Sequence, residues 1–362
     1  MSNKNNIYVS IMAGGVGSRF WPASRTHRPK QFLDMLGLGK SLLRLTYERF
    51  LQICPSENIF IVTNQQYREL VKEHLPELSD DQILCEPSRN NTAPCITYAA
   101  LKPQKINPAA TTIVAPSDHL ITNEAAFAKK ILQAADFASR KKGLITLGIQ
   151  PFKPHTGYGY IKYQKIAIEA GVHRVEAFTE KPDIDTARDF LEAGNYLWNA
   201  GIFIWQTQQV LAALQEHATQ IYDILQAGWD KLNTQQEQAF IDRAYPTTPR
   251  ISIDYAIMEK ADNVYTLPAD FGWSDLGSWS SIYQIQEKDS ADNVVSQCQA
   301  LLEDSQNCLI HAAPEKLVVA RGLDDFIVVD DEDVLLIFPR KAEQSIKQVT
   351  QQLKEKGKED YL

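Results

Sequence analysis

Short apolar runs alternate, along the first part of the chain, with longer segments in which apolar residues recur every three or four positions. The short runs are typical of buried strands and the longer segments of amphipathic helices. Strands are predicted over residues 7–13, 58–63, 82–85, 111–115 and 143–148, and helices over residues 42–53, 65–75, 92–101 and 124–141. This alternation predicts a Rossmann-like α/β domain, in which a mostly parallel mixed sheet carries helices on both faces.

The pattern changes near residue 158, where longer insertions separate the strand-like runs. Strands are predicted there over residues 159–163, 172–178 and 200–205, and helices over residues 207–217, 220–231 and 253–260. After about residue 288 the apolar runs become short again, over residues 308–310, 317–320, 326–329 and 334–338, before a predicted helix over residues 342–356. We therefore predict two domains, residues 1–288 and residues 289–362, of which the second is small, β-rich and ends in a helix.

Composition and charge restrict the classes of function. The 362 residues are 44% hydrophobic and 23% charged, and 45 Asp and Glu against 37 Lys and Arg give a formal net charge of −8. We do not expect such an acidic chain to bind nucleic acid, because phosphate backbones need clustered cations. A small polyanionic substrate remains compatible, since it needs only a few local positive groups.

Targeting and redox signals are also weak. No apolar run approaches the ~20 residues of a membrane span, and residues 1–6 are polar, without the apolar core of a signal peptide. The five cysteines are scattered and show no C-x-x-C spacing, so we expect reduced thiols. These features predict a cytoplasmic protein that binds no membrane.

The loop after the first predicted strand carries the first sign of chemistry. Residues 14–19 (GGVGSR) open a stretch without helical pattern that reaches about Ser41, and a connection of that length is usually functional. Glycines let backbone N–H groups approach phosphate oxygens, while Arg19 can clamp a phosphate bidentately and Lys30 supplies a point charge. Phe20 stands where the dinucleotide fingerprint has its third glycine, and the Walker Gly-Lys-Ser/Thr is missing. The loop therefore predicts a phosphate site of another kind.

Residues 13–25 (AGGVGSRFWPASR), followed by residues 29–32 (PKQF), resemble the signature of the mannose-1-phosphate guanylyltransferases. These are the GDP-mannose pyrophosphorylases of the nucleotidyltransferase superfamily. Typical members have Thr in place of Ser18 and Leu in place of Phe20, and the Trp-Pro-x-Ser-Arg continuation is characteristic of the mannose enzymes. The matching motifs span about residues 7–280, so the resemblance implies that residues 1–288 form the catalytic domain. It also implies that the nucleotide binds at Ala13, Gly14, Gly15, Gly17, Ser18, Arg19 and Lys30.

Residues 86–94 (EPSRNNTAP) lie between a short predicted strand and a predicted helix, and they resemble the purine-binding segment of the family. The carboxylate of Glu86 could accept hydrogen bonds from N1–H and the exocyclic amine of guanine, a pair of donors that adenine does not offer. The resemblance adds Asn91 and Thr92 to the nucleotide-binding residues. By local pattern, Asn91 or Thr92 is instead the N-cap of the following helix, and this alternative stays open.

Two aspartates are candidate metal ligands. Asp118, in residues 115–119 (APSDH), follows a buried strand at the sheet edge where ligands bind, and Asp275 lies in a loop rich in glycine and aromatics, residues 271–279 (FGWSDLGSW). In the family, the residue matching Asp118 holds Mg²⁺, a hard cation suited to carboxylates and substrate phosphates. With Asp275 as its partner carboxylate, the resemblance implies Mg²⁺ as cofactor. The alternatives are a helix cap for Asp118 and a structural turn around Asp275.

Three further segments, taken together and in this order, look like the sugar-phosphate site of the family. They are residues 156–160 (TGYGY), 179–182 (TEKP) and 198–201 (WNAG). Short polar side chains and exposed backbone beside an aromatic wall suit a sugar. The resemblance implies that Glu180 and Asn199 bind hydroxyls, that Gly159 offers its backbone, that Lys181 meets the sugar's phosphate, and that Asp275 belongs to this site as well.

The implied reaction joins mannose 1-phosphate and GTP to give GDP-mannose and pyrophosphate, with Arg19, Lys30, Asp118 and Asp275 as catalytic residues. One alternative is another nucleotide or sugar specificity. Another is a catalytically silent, sugar-nucleotide-sensing subunit, which the presence of all four residues disfavours. We do not expect an added isomerase domain of the cupin type, because the residues after about 288 are few and contain a single histidine. That region is expected to pack on the catalytic domain or to make a homodimer contact.

Overall fold

The computed structural model describes residues 4–362. Residues 1–3, part of the polar N-terminal segment on which the absence of a signal peptide was predicted, lie outside the described residues. The described chain forms two compact units. The first unit contains residues 4–14, Thr46–Ser117 and Ile121–Trp273, and the second unit contains Gly15–Leu45, Asp118–Leu120 and Ser274–Leu362. The predicted domain division at residue 288 stays a prediction.

Ten strands lie between residues 4 and 270 of the described chain. They are β1 (Ile7–Met12), β2 (Ile59–Asn64), β3 (Ile83–Glu86), β4 (Thr111–Pro116), β5 (Leu120–Ile121), β6 (Leu144–Ile149), β7 (Tyr160–Tyr163), β8 (His173–Thr179), β9 (Tyr196–Gln206) and β10 (Val264–Ala269). Nine of them form the sheet of the first unit in the order β3-β2-β1-β4-β9-β6-β10-β8-β7. Strands β3, β2, β1 and β4 are parallel neighbours, as are β6 and β10.

The predicted α/β class is confirmed, and the sheet is mixed. The eleven-residue strand β9 pairs antiparallel with both of its neighbours, β4 and β6, and β8 pairs antiparallel with β10 and β7. Within this nine-stranded sheet, the parallel pairs are those of β3-β2-β1-β4 and the β6–β10 pair. The direction of a strand depends on the connection that leads the chain back to the sheet. The apolar pattern of a buried strand is the same in both directions and therefore does not predict it.

Ten α-helices accompany the strands in the described chain. They are α1 (Leu42–Leu51), α2 (Arg68–His74), α3 (Thr92–Ile106), α4 (Glu124–Lys141), α5 (Ile184–Ala193), α6 (Thr207–His217), α7 (Thr219–Gln226), α8 (Glu237–Ala244), α9 (Trp279–Ile285) and α10 (Ile346–Glu355). Helix α3 is buried over most of its length and packs with α6 and α7 in a hydrophobic core of the first unit. The helix predicted over residues 253–260 is instead one wide turn of the π type, Asp254–Met258, and α5 was not predicted.

A β-solenoid follows in the second unit. After β11 (Trp273–Ser274), its strands are β12 (Val294–Ser296), β13 (Gln299–Glu303), β14 (Leu309–His311), β15 (Leu317–Arg321), β16 (Phe326–Asp331) and β17 (Val334–Pro339). Strands β12, β14 and β16 stack in parallel, as do β13 and β15, so successive runs form parallel coils. The predicted β-rich C-terminal region ending in a helix is confirmed by these strands and α10, although β12 and β13 were not predicted.

The core of the second unit explains why the long loop after β1 is ordered. Phe20, Trp21 and Leu33 of this loop are buried against solenoid residues such as Ile327 and against Ile346 of α10. The indole N–H of Trp21 also donates to a backbone carbonyl near the C-terminus. Aromatic burial of this size fixes a segment that has no regular secondary structure. Among residues 4–362, no helix is long and apolar enough to cross a membrane.

Candidate functional site

The loop after β1 holds its conformation through contacts among its own residues. Gly17 has φ 71°, and a Cβ at this position would lie 2.5 Å from Cβ of Lys30. Only glycine therefore allows this approach of the two backbone segments. The side-chain amide of Gln31 donates to the carbonyl of Gly15 at 3.0 Å. Ser18–Phe20 forms a short 3-10 turn, which contains Arg19.

Lys30 joins two segments that are far apart in the sequence. Its Nζ lies 2.8 Å from Oδ2 of Asp118 and donates to the backbone carbonyl of Asp275 at 2.8 Å. The Lys30 side chain is 4% exposed and that of Asp118 is 33% exposed. Burial opposes ionisation of Asp118, but the Lys30 ammonium and the adjacent His119 outweigh it and hold the pKa of the carboxyl below its usual range. Asp118 is therefore a carboxylate at neutral pH.

Arg19 and the loop after β11 complete this arrangement. Nη1 of Arg19 donates to the carbonyl of Gly277 at 3.0 Å, and the Gly277 N–H donates to Oδ1 of Asp275 at 3.0 Å. The four predicted catalytic residues border one cavity of about 290 Å³. The cavity is lined by Gly17, Ser18, Arg19, Phe20, Lys30, Asp118, His119, Asp275, Leu276, Gly277 and Lys347. The structure thus brings together residues that the sequence places in three separate segments.

The two aspartates are candidate ligands for a Mg²⁺ ion that substrate phosphates would also bind. Carboxylate oxygens are hard donors, and Mg²⁺ is usually held by one or two carboxylates together with substrate phosphates and water. Asp118 and Asp275 border the same cavity, which also offers cations for phosphate oxygens. Within residues 4–362 there is no cluster of three or more His, Cys, Asp or Glu placed to hold a metal. The donor set fits a magnesium–phosphate complex and lacks the ligands of a closed structural metal site.

Glu86 ends β3 in the first unit and is buried. The hydroxyl of Tyr245 donates a hydrogen bond to Oε1 of Glu86. Burial raises the pKa of Glu86 to about 7, although the hydrogen bonds from Tyr245 and Cys95 act in the opposite direction. A Cβ on Gly14 would lie 3.6 Å from Oε2 of Glu86, so this carboxyl oxygen faces the glycine backbone. The carboxyl group therefore titrates near neutral pH beside the first glycine of the loop.

The other residues predicted for the nucleotide have local structural roles. Asn91 has φ 68°, is the N-cap of α3, and its Oδ1 accepts from the Thr92 N–H at 2.8 Å. Oγ1 of Thr92 accepts from the N–H of Ile253 at 2.9 Å. Ala13 lies at the end of β1, where its carbonyl accepts from Oγ1 of Thr63 at 2.8 Å. The predicted capping role of Asn91 is confirmed, and base binding by Asn91 and Thr92 stays a prediction.

The side chain of Asn199 forms hydrogen bonds with three residues of the first unit. Its Oδ1 accepts from Oγ1 of Thr146 at 3.1 Å and from the N–H of Gly201 at 3.0 Å. Its Nδ2 donates to Oδ1 of Asp254 at 2.9 Å. These contacts also fix which end of the amide is oxygen, because the Gly201 N–H can only donate and an ionised Asp254 carboxylate can only accept. The amide therefore presents its remaining N–H in one defined orientation.

Glu180 lies beside Asn199 and explains a glycine of the sugar set. A Cβ on Gly159 would lie 2.5 Å from Oε2 of Glu180, so glycine is needed for the carboxylate to approach this backbone. Lys181, at φ 47°, pairs with Glu180 at 2.9 Å and is 59% exposed. Burial and the charge of Glu180 raise the pKa of Asp254 to about 6. Gly159, Glu180, Asn199 and Asp254 therefore form one acidic, hydrogen-bonding group.

Aromatic rings adjoin this group in the first unit. Tyr158 stacks on His155 with ring centroids 3.8 Å apart, and it meets Trp198 edge to face at 5.0 Å. Trp273 lies 5.3 Å from Tyr158. Tyr158 directly precedes Gly159, and Trp198 directly precedes Asn199 in β9, so the aromatic cluster and the polar group share two backbone segments, although successive side chains of a strand point to opposite faces. An apolar wall beside a few converging polar groups is the usual composition of a sugar site.

Comparisons with known proteins identify the family. Residues 9–292 match the model of the family described as Nucleotidyl transferase. The chain is 38% identical over 360 residues to the Mannose-1-phosphate guanylyltransferase of Salmonella montevideo, an alignment that covers 97% of this chain and 75% of that protein. The chain belongs to the mannose-1-phosphate guanylyltransferases of the nucleotidyl transferase family. The resemblance drawn from residues 13–25 is thereby confirmed.

One further relative and two solved structures are also similar to this chain. The Alginate biosynthesis protein AlgA of Pseudomonas aeruginosa is 37% identical, over 97% of this chain and 73% of that protein. The structure of a mannose-1-phosphate geranyltransferase from Thermus thermophilus superimposes with a TM-score of 0.86 at 27% identity, covering 96% of this chain and 99% of the other. A mannose-6-phosphate isomerase from Helicobacter pylori gives 0.61 at 28% identity, covering 74% of this chain and 99% of the other. Residues 300–353 match a MannoseP isomerase/GMP-like beta-helix domain, in agreement with the parallel coils.

The sequence analysis missed Asp254, which contacts Asn199, and Lys347, which borders the cavity of Arg19 and Lys30. Asp254 contacts Asn199, yet it lies in a segment predicted as an ordinary helix. Lys347 borders the cavity of Arg19 and Lys30, yet it lies on the last helix of the chain, far from every recognised motif. A pattern of apolar residues marks the buried face of a helix and is silent about which polar residue on another face meets a site. No sequence signal short of the fold would have found Lys347.

Proposed function

We propose that the chain transfers GMP from GTP to α-D-mannose 1-phosphate and so forms GDP-mannose and pyrophosphate. The single observation that carries this proposal is the convergence of Arg19, Lys30, Asp118 and Asp275 on one cavity. Two cations and two carboxylates in one cavity are the groups that phosphoryl and nucleotidyl transfer need. Membership in the mannose-1-phosphate guanylyltransferases supports the choice of substrates.

The proposed chemistry needs no general base from the protein. A phosphate monoester has a second pKa of about 6, so the mannose 1-phosphate is largely a dianion at neutral pH. One of its oxygens attacks the α-phosphorus of GTP in line, a P–O bond forms, and the P–O bond to the leaving pyrophosphate breaks. One phosphoanhydride replaces another, so the reaction is readily reversible. The difficulty lies in bringing two polyanions together.

Arg19 and Lys30 would reduce this repulsion. The Arg19 guanidinium spends one N–H on the Gly277 carbonyl and keeps others for phosphate oxygens, in a geometry that suits bidentate contact. The Lys30 ammonium is already fixed by Asp118 and by the Asp275 carbonyl, so little reorganisation is needed in the transition state. Mg²⁺, held by Asp118 and Asp275, would supply further positive charge to the phosphates when bound.

Base and sugar recognition fall to groups of the first unit. Ionised Glu86 would accept hydrogen bonds from N1–H and the exocyclic amine of guanine. Glu180 and Asn199 would bind sugar hydroxyls, and the Gly159 backbone would contact the sugar. Lys181 would exchange its exposed pairing with Glu180 for the sugar's phosphate, an exchange of small cost because exposed ion pairs contribute little.

The test is a grid of nucleoside triphosphates and sugar 1-phosphates with Mg²⁺, in which pyrophosphate release is measured. We expect turnover with GTP and mannose 1-phosphate, and much slower turnover with ATP or UTP. Asp118→Asn and Asp275→Asn, assayed in the same grid, are expected to lose turnover with every pair. Turnover confined to another nucleotide would contradict the guanylyl assignment, and no turnover with any pair would favour a sensing subunit.

A further inference from the structure

The residues on either side of α10 form hydrogen bonds with two segments that flank the cavity of Arg19 and Lys30. We call this cavity the phosphate cavity, and its two walls are residues 17–20 and residues 275–277. Carboxylate oxygens of Glu343, just before α10, accept from Oγ of Ser278 at 2.9 Å and from the N–H of Ser280 at 2.8 Å. These serines follow directly after the Asp275–Gly277 wall. On the other wall, Nε1 of Trp21 donates to the backbone carbonyl of Tyr361 at 2.7 Å. The C-terminal segment therefore fixes the position of both walls.

Burial fixes the position of the first turn of α10. Ile346 is fully buried in the core that also contains Phe20 and Trp21, the two residues directly after Arg19. Lys347 is the next residue of the helix, and it borders the cavity. The anchoring of Ile346 leaves the backbone of Lys347 little freedom, while its four-carbon side chain remains exposed and can adjust to a ligand.

Charge gives Lys347 a function in this cavity. The lining contains two other ammonium or guanidinium groups, on Arg19 and Lys30, against two carboxylates, on Asp118 and Asp275. Without Lys347 the formal charges of these side chains cancel, although the proposed ligand is a polyanion. Lys30 is also partly neutralised, because Asp118 lies 2.8 Å from its Nζ. Lys347 makes the balance positive, which favours phosphate binding.

We propose that Lys347 is a phosphate-binding residue that contacts the triphosphate of GTP and the pyrophosphate product. This inference rests on the proposed function, in which the cavity grips the triphosphate. Helix α10, which follows the β-solenoid, thus contributes a cation to nucleotide binding as well as structural support. A lysine ammonium binds phosphate oxygens as a point charge without a fixed geometry, which suits a group that meets both substrate and product.

The experiment compares three full-length variants. Lys347→Ala removes the charge, Lys347→Arg keeps it, and Lys354→Ala removes an exposed lysine from the same helix that does not border the cavity. Initial rates are measured forward, with GTP and mannose 1-phosphate, and in reverse, with GDP-mannose and pyrophosphate. For Lys347→Ala we expect KM for GTP and for pyrophosphate to rise about fivefold, as for loss of one partly exposed charge contact. KM for mannose 1-phosphate and GDP-mannose should stay close to that of the unaltered chain.

Lys347→Arg should restore most of the pyrophosphate affinity, and Lys354→Ala should match the unaltered chain. An unchanged KM for pyrophosphate in Lys347→Ala would overturn the proposal, as would an equal loss in Lys354→Ala. Calorimetric titration with pyrophosphate and Mg²⁺ separates this inference from the proposed function, because it needs no turnover. If the chain is inactive but its binding of pyrophosphate depends on Lys347, the proposed reaction is contradicted and the role of Lys347 is supported. If the chain turns over but its binding of pyrophosphate does not depend on Lys347, the reaction is supported and the role of Lys347 is contradicted.

Discussion

Nζ of Lys30 lies 2.8 Å from Oδ2 of Asp118, although the two residues are 88 positions apart in the sequence. The same ammonium donates to the carbonyl of Asp275, a further 157 positions along the chain from Asp118. One buried cation therefore sets the spacing of both proposed metal ligands. Its removal should disturb phosphate binding, the ionisation of Asp118 and the metal site together.

Lys30→Met should lower kcat by roughly 10²- to 10³-fold, as for loss of a preorganised charge in the transition state. Because Lys30 lowers the pKa of Asp118, its loss should raise that pKa and move the acid limb of the rate profile to higher pH. The measurement is pyrophosphate release across the acidic range for both chains. Lys316→Met, which breaks a Lys–Asp pair of the same 2.8 Å length with Asp330 outside this cavity, is the control and should leave the profile unchanged. An acid limb at the same pH in Lys30→Met would show that Asp118 does not govern it.

The raised pKa of Glu86 predicts a pH dependence of GTP binding. Guanine donors need the carboxylate, which predominates only above about pH 7. KM for GTP should therefore fall as pH rises through this value, relative to Glu86→Gln, in which this group cannot ionise. The ratio of the two KM values cancels titration of the nucleotide itself. A ratio that does not change with pH would remove Glu86 from base recognition.

Tyr245→Phe gives an independent check on Glu86. The Tyr245 hydroxyl donates to Glu86 and so lowers its pKa against the effect of burial. Loss of this hydroxyl should raise the pKa further and shift the midpoint of the GTP dependence to higher pH, with the preference for GTP over ATP reduced below it. A shift to lower pH would contradict the assignment of Glu86 as the titrating group.

Gly159→Ala should weaken sugar binding selectively. The new methyl group would lie 2.5 Å from Oε2 of Glu180, so the carboxylate must move away from its present position. We expect KM for mannose 1-phosphate to rise about tenfold or more, while KM for GTP changes little, since one misplaced hydrogen-bonded charge costs about 1.5–3 kcal/mol. Steady-state rates with each substrate varied in turn measure both constants.

The control for this change is Gly194→Ala. Gly194 is the C-terminal cap of α5 and has φ 67°, a backbone conformation that favours glycine. Nothing lies within 4 Å of the position that its Cβ would take. This variant should lose more than about 1 kcal/mol of stability through backbone strain and keep both KM values. If both variants raised KM for the sugar phosphate, general destabilisation rather than the Glu180 contact would be responsible.

Asp254 should influence sugar binding through Asn199. Asp254→Ala removes the acceptor of the Asn199 amide and should raise KM for mannose 1-phosphate, whereas Asp254→Asn keeps an acceptor oxygen and should largely retain the affinity. The two variants separate a hydrogen-bond role from a charge role. Equal losses in both would show that the charge of Asp254 is what matters.

Stability against pH gives a second readout for Asp254. Its pKa is about 6 in the folded chain, above the ordinary value of 3.8, so the folded chain binds an extra proton between these values. Folding stability from this group is therefore greatest at low pH and is lost as pH rises through about 6. We therefore compare the free energy of unfolding of Asp254→Asn with that of the unaltered chain, by urea unfolding at a pH well below 6 and at a pH well above 6. The difference should favour the variant more at the higher pH. A relative stability that is equal at both would place the titration elsewhere.

The sequence by itself determined the features that neighbouring residues encode. Residues 13–25 and 29–32 identified the family, because the glycine spacing and Arg19 that carry the resemblance lie within one short segment. The apolar spacing of Ile346, Val349 and Leu353 predicted the last helix, since a helical face depends only on residues three or four apart. The local pattern also offered Asn91 or Thr92 as the N-cap of α3, and the structure shows that Asn91 is the cap.

Only the tertiary structure decided which distant segments meet. The direction of β9, the contact of Asp254 with Asn199, and the place of Lys347 beside Arg19 all depend on strand pairing and core packing across long separations in the chain. Such contacts are selected by the burial of the whole set of apolar faces at once, of which a single segment shows one part. For this reason the sequence identified the family from the loop after β1, and the fold decided which residues of the rest of the chain lie beside that loop.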